Sequence, residues 1–440
     1  LRPMTEVTSR KKAWVGKLTS ATPNSRGMCI PAKKPPRAGP VRQGAGVVAT
    51  RRPRSLLGKP SPLLRRIGQS LAVLPAYHST CAYADAPPAF TEVGLRYSRY
   101  SEDSLDADKL IFGSRDRYDI DITQLWIEGP IGASWSVALD VQNDYQTGAS
   151  PWFVGASQDG KAGVIMSGAS IQDNRLEVGV TTRYFWADGN AGLKVSHSDE
   201  DDYEATSLAF DVSWNSEDNA RTWTTSFSSS ADTLTPTQGT IPVFIEREEL
   251  DTQSVYFGVS QILSRTAIAR IGLNYTYSEG YLSDPYKLRD QRPDTHERIA
   301  LSTGYRQFFI AADASLQIDY RYYADSWGTD SHTLELGWAQ NSRLGLVTPY
   351  LRYYSQRQAD FYQVIAATDT PHFADDYRLS SYGAVTAGAR WSMSLSEQWT
   401  VQLEAERYVS KNSWGLYDGE EAPALVDFWR TSINVTWRFD

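Results

Sequence analysis

Between Trp429 and Phe439 the chain alternates without a break. Trp429, Thr431, Ile433, Val435, Trp437 and Phe439 are apolar or aromatic, with one Thr among them. Arg430, Ser432, Asn434, Thr436 and Arg438 between them are polar. A strand sends successive side chains to opposite faces, so this segment has one greasy face and one wet face. Its length matches the 9–11 residues with which a tilted strand crosses a bilayer, and its aromatics sit at both ends, where membrane interfaces favour them. A half-buried strand of a soluble sandwich reads the same way, so the argument rests on recurrence.

The pattern recurs. Trp135-Val137-Leu139-Val141, Leu176-Val178-Val180 with Tyr184 and Trp186, Leu208-Phe210-Val212-Trp214 and Val255-Phe257-Val259 each hold one phase. So do Ala269-Ile271-Leu273-Tyr275-Tyr277, Ile299-Leu301-Tyr305, Leu316-Ile318-Tyr320-Tyr322 and Leu334-Leu336-Trp338. Val347-Leu351-Tyr353, Val385-Ala387-Ala389-Trp391 and Trp399-Val401-Leu403 complete the strong sets. Weaker strands cover about 92–100, 117–128, 191–197 and 221–229. In the second of these the apolar phase slips between Ile122 and Leu125, which predicts a bulge. With the terminal strand the count is 16. No run approaches the 18 apolar residues of a membrane helix. A mean hydropathy of −0.44 does not argue against a barrel, because half of every barrel strand is polar.

The connections sort by length. Short turns are expected at Gly129-Pro130, 188–190, 215–219, 263–265, 307–313, 340–345 and 395–397. Longer segments are expected at about 101–116, 144–172, 198–203, 230–250, 279–297, 324–331, 356–380 and 410–427. Short turns on one rim and long loops on the other are the habit of outer-membrane barrels. The fold class predicted is all-β: a transmembrane antiparallel up-and-down barrel of about 16 strands, spanning residues 85–440.

The first 84 residues differ in kind. They hold 16 of the 44 Lys and Arg and one of the 52 acidic residues, Glu6. Residues 1–60 read as a basic low-complexity extension, disordered or not translated. Residues 61–84 read as a signal peptide, with Arg65-Arg66, a short apolar core from Ile67 to Pro75 and a cleavage site at Ala82-Tyr83-Ala84. Both cysteines, Cys29 and Cys81, fall here, and a cysteine-free body suits export through an oxidising compartment.

Tyr320 to Leu336 (YRYYADSWGTDSHTLEL), Ser283–Lys287 with Arg292-Pro293 and Arg298, and Leu351–Gln356 with Ala359–Tyr362 resemble a bacterial family. It is domain-of-unknown-function family 3570. The resemblance covers most of the chain after residue 90. It implies an exported Gram-negative outer-membrane barrel and carries no catalytic residues.

Asp319, Arg321, Tyr323, Glu335, Tyr350, Arg352 and Tyr354 take the phase opposite the lipid-facing sets, so they are the candidate lumen-lining residues. With the connecting loop centred near 328, Arg321 is expected opposite Glu335, and Arg352 within a residue or two of that level. Such a group is either a charged constriction that selects solutes or a self-neutralising wall network. The acidic runs Asp199–Asp202, Glu246 to Asp251, Asp375-Asp376 and Asp418 with Glu420-Glu421 read as exposed loops. They attract cations, bridge divalent ions to lipopolysaccharide or simply keep the loops soluble. None has calcium-loop spacing, and no phosphate loop or dinucleotide fingerprint occurs. No catalytic, cofactor or metal residue is therefore expected, and the chain does not read as an enzyme. A 16-strand interior is too wide for wall side chains to fill, so an aqueous lumen is expected unless loops plug it. The leading reading is an outer-membrane channel or transporter for small solutes. The alternatives are a scaffold for a periplasmic or surface partner, and a hydrolase at the rim using His332 with Asp325 or Asp330. Outer-membrane lipid and lipopolysaccharide are expected partners; nucleic acid is not. The sequence leaves the oligomeric state open.

Overall fold

The computed structural model describes residues 86–167, 171–236, 245–367 and 369–440, with only the backbone of Ile171 and Gln172. The expected extension and signal peptide lie outside these residues. The strands are β1 (Thr91–Glu102), β2 (Asp119–Ile131), β3 (Trp135–Gly148), β4 (Ile171–Trp186), β5 (Gly189–Glu200), β6 (Tyr203–Asn215), β7 (Arg221–Leu234) and β8 (Glu248–Ser264). They continue as β9 (Ala267–Gly280), β10 (Thr295–Phe309), β11 (Ala314–Asp325), β12 (Asp330–Ser342), β13 (Gly345–Gln356), β14 (Tyr382–Ser394), β15 (Trp399–Lys411) and β16 (Phe428–Phe439). Each pairs antiparallel with its sequence neighbours, and β16 returns to β1 from Thr91↔Phe439 to Glu102↔Phe428. Closure satisfies every strand's ladder, which a bilayer core requires because it offers no water to an open edge.

The outer surface shows why these segments are strands. Leu139, Val180, Val195, Leu208, Val255, Ile271, Leu273, Leu336, Leu351 and Ile433 are all exposed. A soluble monomer rarely shows so continuous an apolar belt. At the short-turn rim the belt ends in aromatic pairs: Trp135 on Tyr184, Trp214 on Trp223, Phe309 on Trp338 and Trp399 on Trp437. These make an interfacial girdle.

The turns on that rim span 132–134, 187–188, 216–220, 265–266, 310–313, 343–344 and 395–398. On the other rim the links 103–118, 149–170, 235–247, 281–294, 357–381 and 412–427 are long, but 201–202 and 326–329 are tight. The sorting by length is therefore incomplete. In the second tight link Gly328 has φ +86, and a Cβ there would fall 2.4 Å from Asp360, so glycine lets the segment 357–381 settle onto the hairpin.

The expected bulge in β2 is absent. Its ladder with β1 runs unbroken from Glu92↔Glu128 to Ser101↔Asp119. Leu125 and Ile127 face outward, while Ile120 and Ile122 are buried on the inner face. The slip in hydrophobicity marks a change in what the inner face touches, not a change in backbone register.

Candidate functional site: the inner wall and its loop plug

What Ile120 and Ile122 touch is a plug made of loops. Inward-facing Tyr100, Tyr203, Leu250, Tyr354, Tyr382, Tyr408 and Phe428 join them near the outer rim. Leu105, Met166, Leu282, Trp327, Phe361, Tyr377 and Val426 reach them from the connecting segments, and all belong to one buried cluster. Short strands stiffen it: Ala162–Met166 pairs with both Leu110–Phe112 and Pro151–Ala156, and Asp290–Gln291 with Phe373–Ala374. Aromatic burial supplies the cohesion, each ring removing a large apolar area from water.

Polar ties cross between segments. The Val154 amide donates to Asp375 Oδ2 at 2.7 Å, Lys287 Nζ to the Pro151 carbonyl at 3.1 Å, and Val364 N–H to Glu420 at 2.7 Å. Arg292 bridges Asp290 at 2.6 Å and Asp376 at 2.9 Å with all three side chains fully buried. Arg378 also pairs with Asp376. The run Asp375-Asp376, expected as exposed loop, is thus buried structure. Burial pushes the Asp375 carboxyl up to about 6, although Lys287 and the Val154 amide pull the other way. Burial acts on Asp376 too, but Arg378, Lys287 and Arg292 outweigh it and hold this carboxyl well below the ordinary range.

Below the plug the wall is charged. Asp319, Arg321, Tyr323, Glu335, Tyr350, Arg352 and Tyr354 all sit on the phase opposite the lipid-facing residues. Glu335 pairs in register with Asp319 on one side and Arg352 on the other. Arg321 lies opposite Thr333, two residues from the expected Glu335, because the tight link 326–329 turns about Trp327 and not 328. Arg352 meets Glu335 at 2.7 Å; Arg390 reaches Glu335 at 3.3 Å and Glu404 at 3.1 Å; Arg430 reaches Glu406 at 2.9 Å. The Tyr350 hydroxyl donates to Glu406 at 2.5 Å, and its ring carries Arg390 3.9 Å from its centroid. The sequence reading missed Arg390, Glu404, Glu406 and Arg430. Their inward phase was available from Val385-Ala387-Ala389 and Val401-Leu403.

Tyr323 and Tyr354 serve the plug instead: the first donates to Asp325, the second to Gln356, which itself donates to the Arg378 and Ser380 carbonyls. The adjoining strands β9–β11 carry a second charged group on the same inner face. Arg270 and Arg306 share Asp319 at 2.8 and 2.5 Å, with Arg270 and Asp319 about one-fifth exposed, Arg321 half-buried over the Tyr323 ring and Ser302 exposed.

Of the acids expected beside His332 in a rim hydrolase, Asp330 shares its outward face and accepts from the Tyr322 hydroxyl at 2.9 Å, whereas Asp325 does not share that face. His332 points outward to the Tyr320 and Tyr417 hydroxyls, while Asp325 faces inward to His296 at 2.9 Å. A cleft of about 340 Å³ on the outer face, between Trp327, Asp360, Phe361 and His372, holds neither pair.

Fold and wall together define a 16-stranded barrel of the outer-membrane type with a loop-built outer plug. The chain belongs to the family described as protein of unknown function, DUF3570, whose profile matches residues 69–425. No curated protein matches the chain. Among solved structures it is similar to CdiB from Acinetobacter baumannii (TM-score 0.45, 7% identity, 79% of this chain and 60% of that one). It is similar also to a BenF-like porin from Pseudomonas fluorescens Pf-5 (0.41, 8%, 80% and 98%) and a Pseudomonas aeruginosa FadL homologue (0.36, 9%, 86% and 94%). The chain therefore spans three-fifths of the CdiB chain, and nothing about function passes from any of these barrels to this one.

Proposed function

We propose that the protein is a bacterial outer-membrane channel or transporter for small solutes whose outer mouth is closed by its own loops. The observation that carries this is the charged, partly exposed wall along β9–β11 beneath the apolar plug. Side chains that only neutralise one another pack away from solvent, as Glu335 and Arg352 do. Arg270, Asp319 and Arg321 instead stay partly exposed, and Ser302 exposed, on the inner face, as a solute path requires.

Planar-bilayer recording of the purified protein, beside a variant in which 361–372 is replaced by a short Gly/Ser linker, tests the reading. Rare openings of the native protein and sustained conductance of the variant are expected. A folded variant that stays closed would favour the scaffold reading instead. That reading has one observation on its side: the plug fills the outer mouth with well-packed aromatic core, as a display surface would.

A further inference from the structure

Three carboxylates converge where β4, β5 and β6 reach the outer rim. Asp173 comes from β4, Glu200 ends β5, and Asp202 lies in the tight link to β6. One oxygen from each lies within 4.8 Å of the others, and the residues are 3%, 7% and 0% exposed. The strand alternation simply continues through the acidic run: Asp199 and Asp201 face solvent while Glu200 and Asp202 turn inward. Two oxygens on opposite sides of a calcium ion, at roughly 2.3–2.6 Å each, stand about 4.6–5.2 Å apart. The carboxylate spacing fits inside such a shell. Held this close out of water the three charges repel one another, and a cation between them would relieve this beyond what Arg175, 3.9 Å from Glu200, supplies.

Acidic side chains alone do not specify a ligand; Gln146 adds the independent observation. It stands directly across the β3–β4 ladder from Asp173, on the same inward face. It is 1% exposed, and neither its Oε1 nor its Nε2 has a hydrogen-bond partner among the described residues. A buried amide in that state costs stability, which a bond from Oε1 to a cation would offset in part. All four donors are hard oxygens, without imidazole or thiolate. This chemistry suits calcium, which accepts irregular shells, better than zinc or copper.

We infer that Asp173, Glu200, Asp202 and Gln146 form a calcium site that fastens the plug to the rim. The fastening runs through Asp202, whose carboxylate also accepts from the Tyr286 hydroxyl of the segment 281–294. The next residue, Lys287, holds the Pro151 carbonyl of the segment 149–170. Arg175, on the same face as Asp173, pairs with Asp144 at 3.7 Å, Glu200 at 3.9 Å and Glu177, and so orients the acids around the ion.

The test uses the mature chain in detergent free of lipopolysaccharide, stripped with EDTA and titrated with calcium chloride by calorimetry, beside thermal melts. One saturable calcium per chain and a higher melting temperature in calcium are expected. Asp173→Asn, Asp202→Asn and Gln146→Met should each weaken binding about tenfold or more, in the range seen for altered ligand shells. Asp202→Asn should melt at or above the native protein in EDTA, because one repelling charge is gone, and below it in calcium. Asp201→Asn, on the solvent side, should bind as the native protein does. If an Asn variant fails to fold, Gln146→Met decides alone, since it keeps size and charge. Absence of saturable binding, or binding that survives Asp173→Asn and Gln146→Met, overturns the site.

Discussion

Glu335 and Arg352 face each other across the β12–β13 ladder and join at 2.7 Å, with 6% and 5% of their side chains exposed. A pair so far from solvent gains little over apolar neighbours when intact, but leaves a buried charge when broken. Arg352→Ala is expected to lower stability by about 3 kcal/mol, and the joint replacement Glu335→Met with Arg352→Met by much less. Urea unfolding in lipid vesicles measures both. A large shift in ion selectivity with no loss of stability in Arg352→Ala would place this pair on the solute path instead.

Arg321 is expected to behave in the opposite way. It is half-buried opposite exposed Ser302, with the Tyr323 ring 5.9 Å away. Arg321→Ala removes a fixed positive charge from the inner wall, while the acids of the wall remain. In the plug-opened background the reversal potential under a salt gradient should become more cation-preferring, with stability changed by less than about 0.5 kcal/mol. An unchanged reversal potential would remove Arg321 from the path.

The plug should loosen as pH rises. The Asp375 carboxyl titrates near 6 in the folded plug against an ordinary value of 3.8. Below 3.8 both folded and unfolded forms are protonated. Between 3.8 and 6 the folded state keeps a proton that the unfolded state releases, so stability falls through this window and levels off above it. The span is about 3 kcal/mol at most. Asp376 has the opposite sign, but its contribution is lost only as pH falls below the ordinary carboxylate range. From pH 5 to pH 7 the native protein should therefore lose more stability than Asp375→Asn does, while Asp290, whose buried carboxyl is also pushed up to about 6, acts alike in both. Equal pH slopes for the two proteins would contradict the assignment.

Leu336 is 44% exposed in the middle of β12. In a soluble protein an arginine there would be nearly neutral. On a lipid-facing strand at mid-depth, Leu336→Arg should cost about 2–4 kcal/mol in vesicles. Folding titrations of the variant check this, and a neutral result would argue that the belt does not face lipid.

These predictions depend on three levels of structure that were unequally legible in the sequence. The barrel was legible because lipid outside and polar wall inside impose a period of two on every strand, so sets such as Ile271-Leu273-Tyr275 announce both strand and orientation. Register was harder. Taking the link after β11 to turn about 328 moved Arg321 against Glu335, whereas Ala324↔Asp330 fixes the pivot at Trp327 and brings Asp319 there. One residue in a turn centre displaces every cross-strand pair by two. The plug was least legible. Its segments have no common period, and their contacts join residues far apart in the chain, such as Val154 with Asp375. Two signals did exist. Ile120 and Ile122 were apolar on the wet phase, and the alternation through Asp199–Asp202 already separated the inward acids from the outward ones.

The plug also depends on the closed ring. Its core draws on the segments 103–118, 149–170, 281–294, 357–381 and 412–427, whose ends the wall brings to a single rim. No neighbouring pair of strands contains the whole of it, and its contacts join residues far apart in the chain. The stopper can settle only where the ring holds those ends together, so a variant that opens the seam between β1 and β16 should loosen the stopper with it.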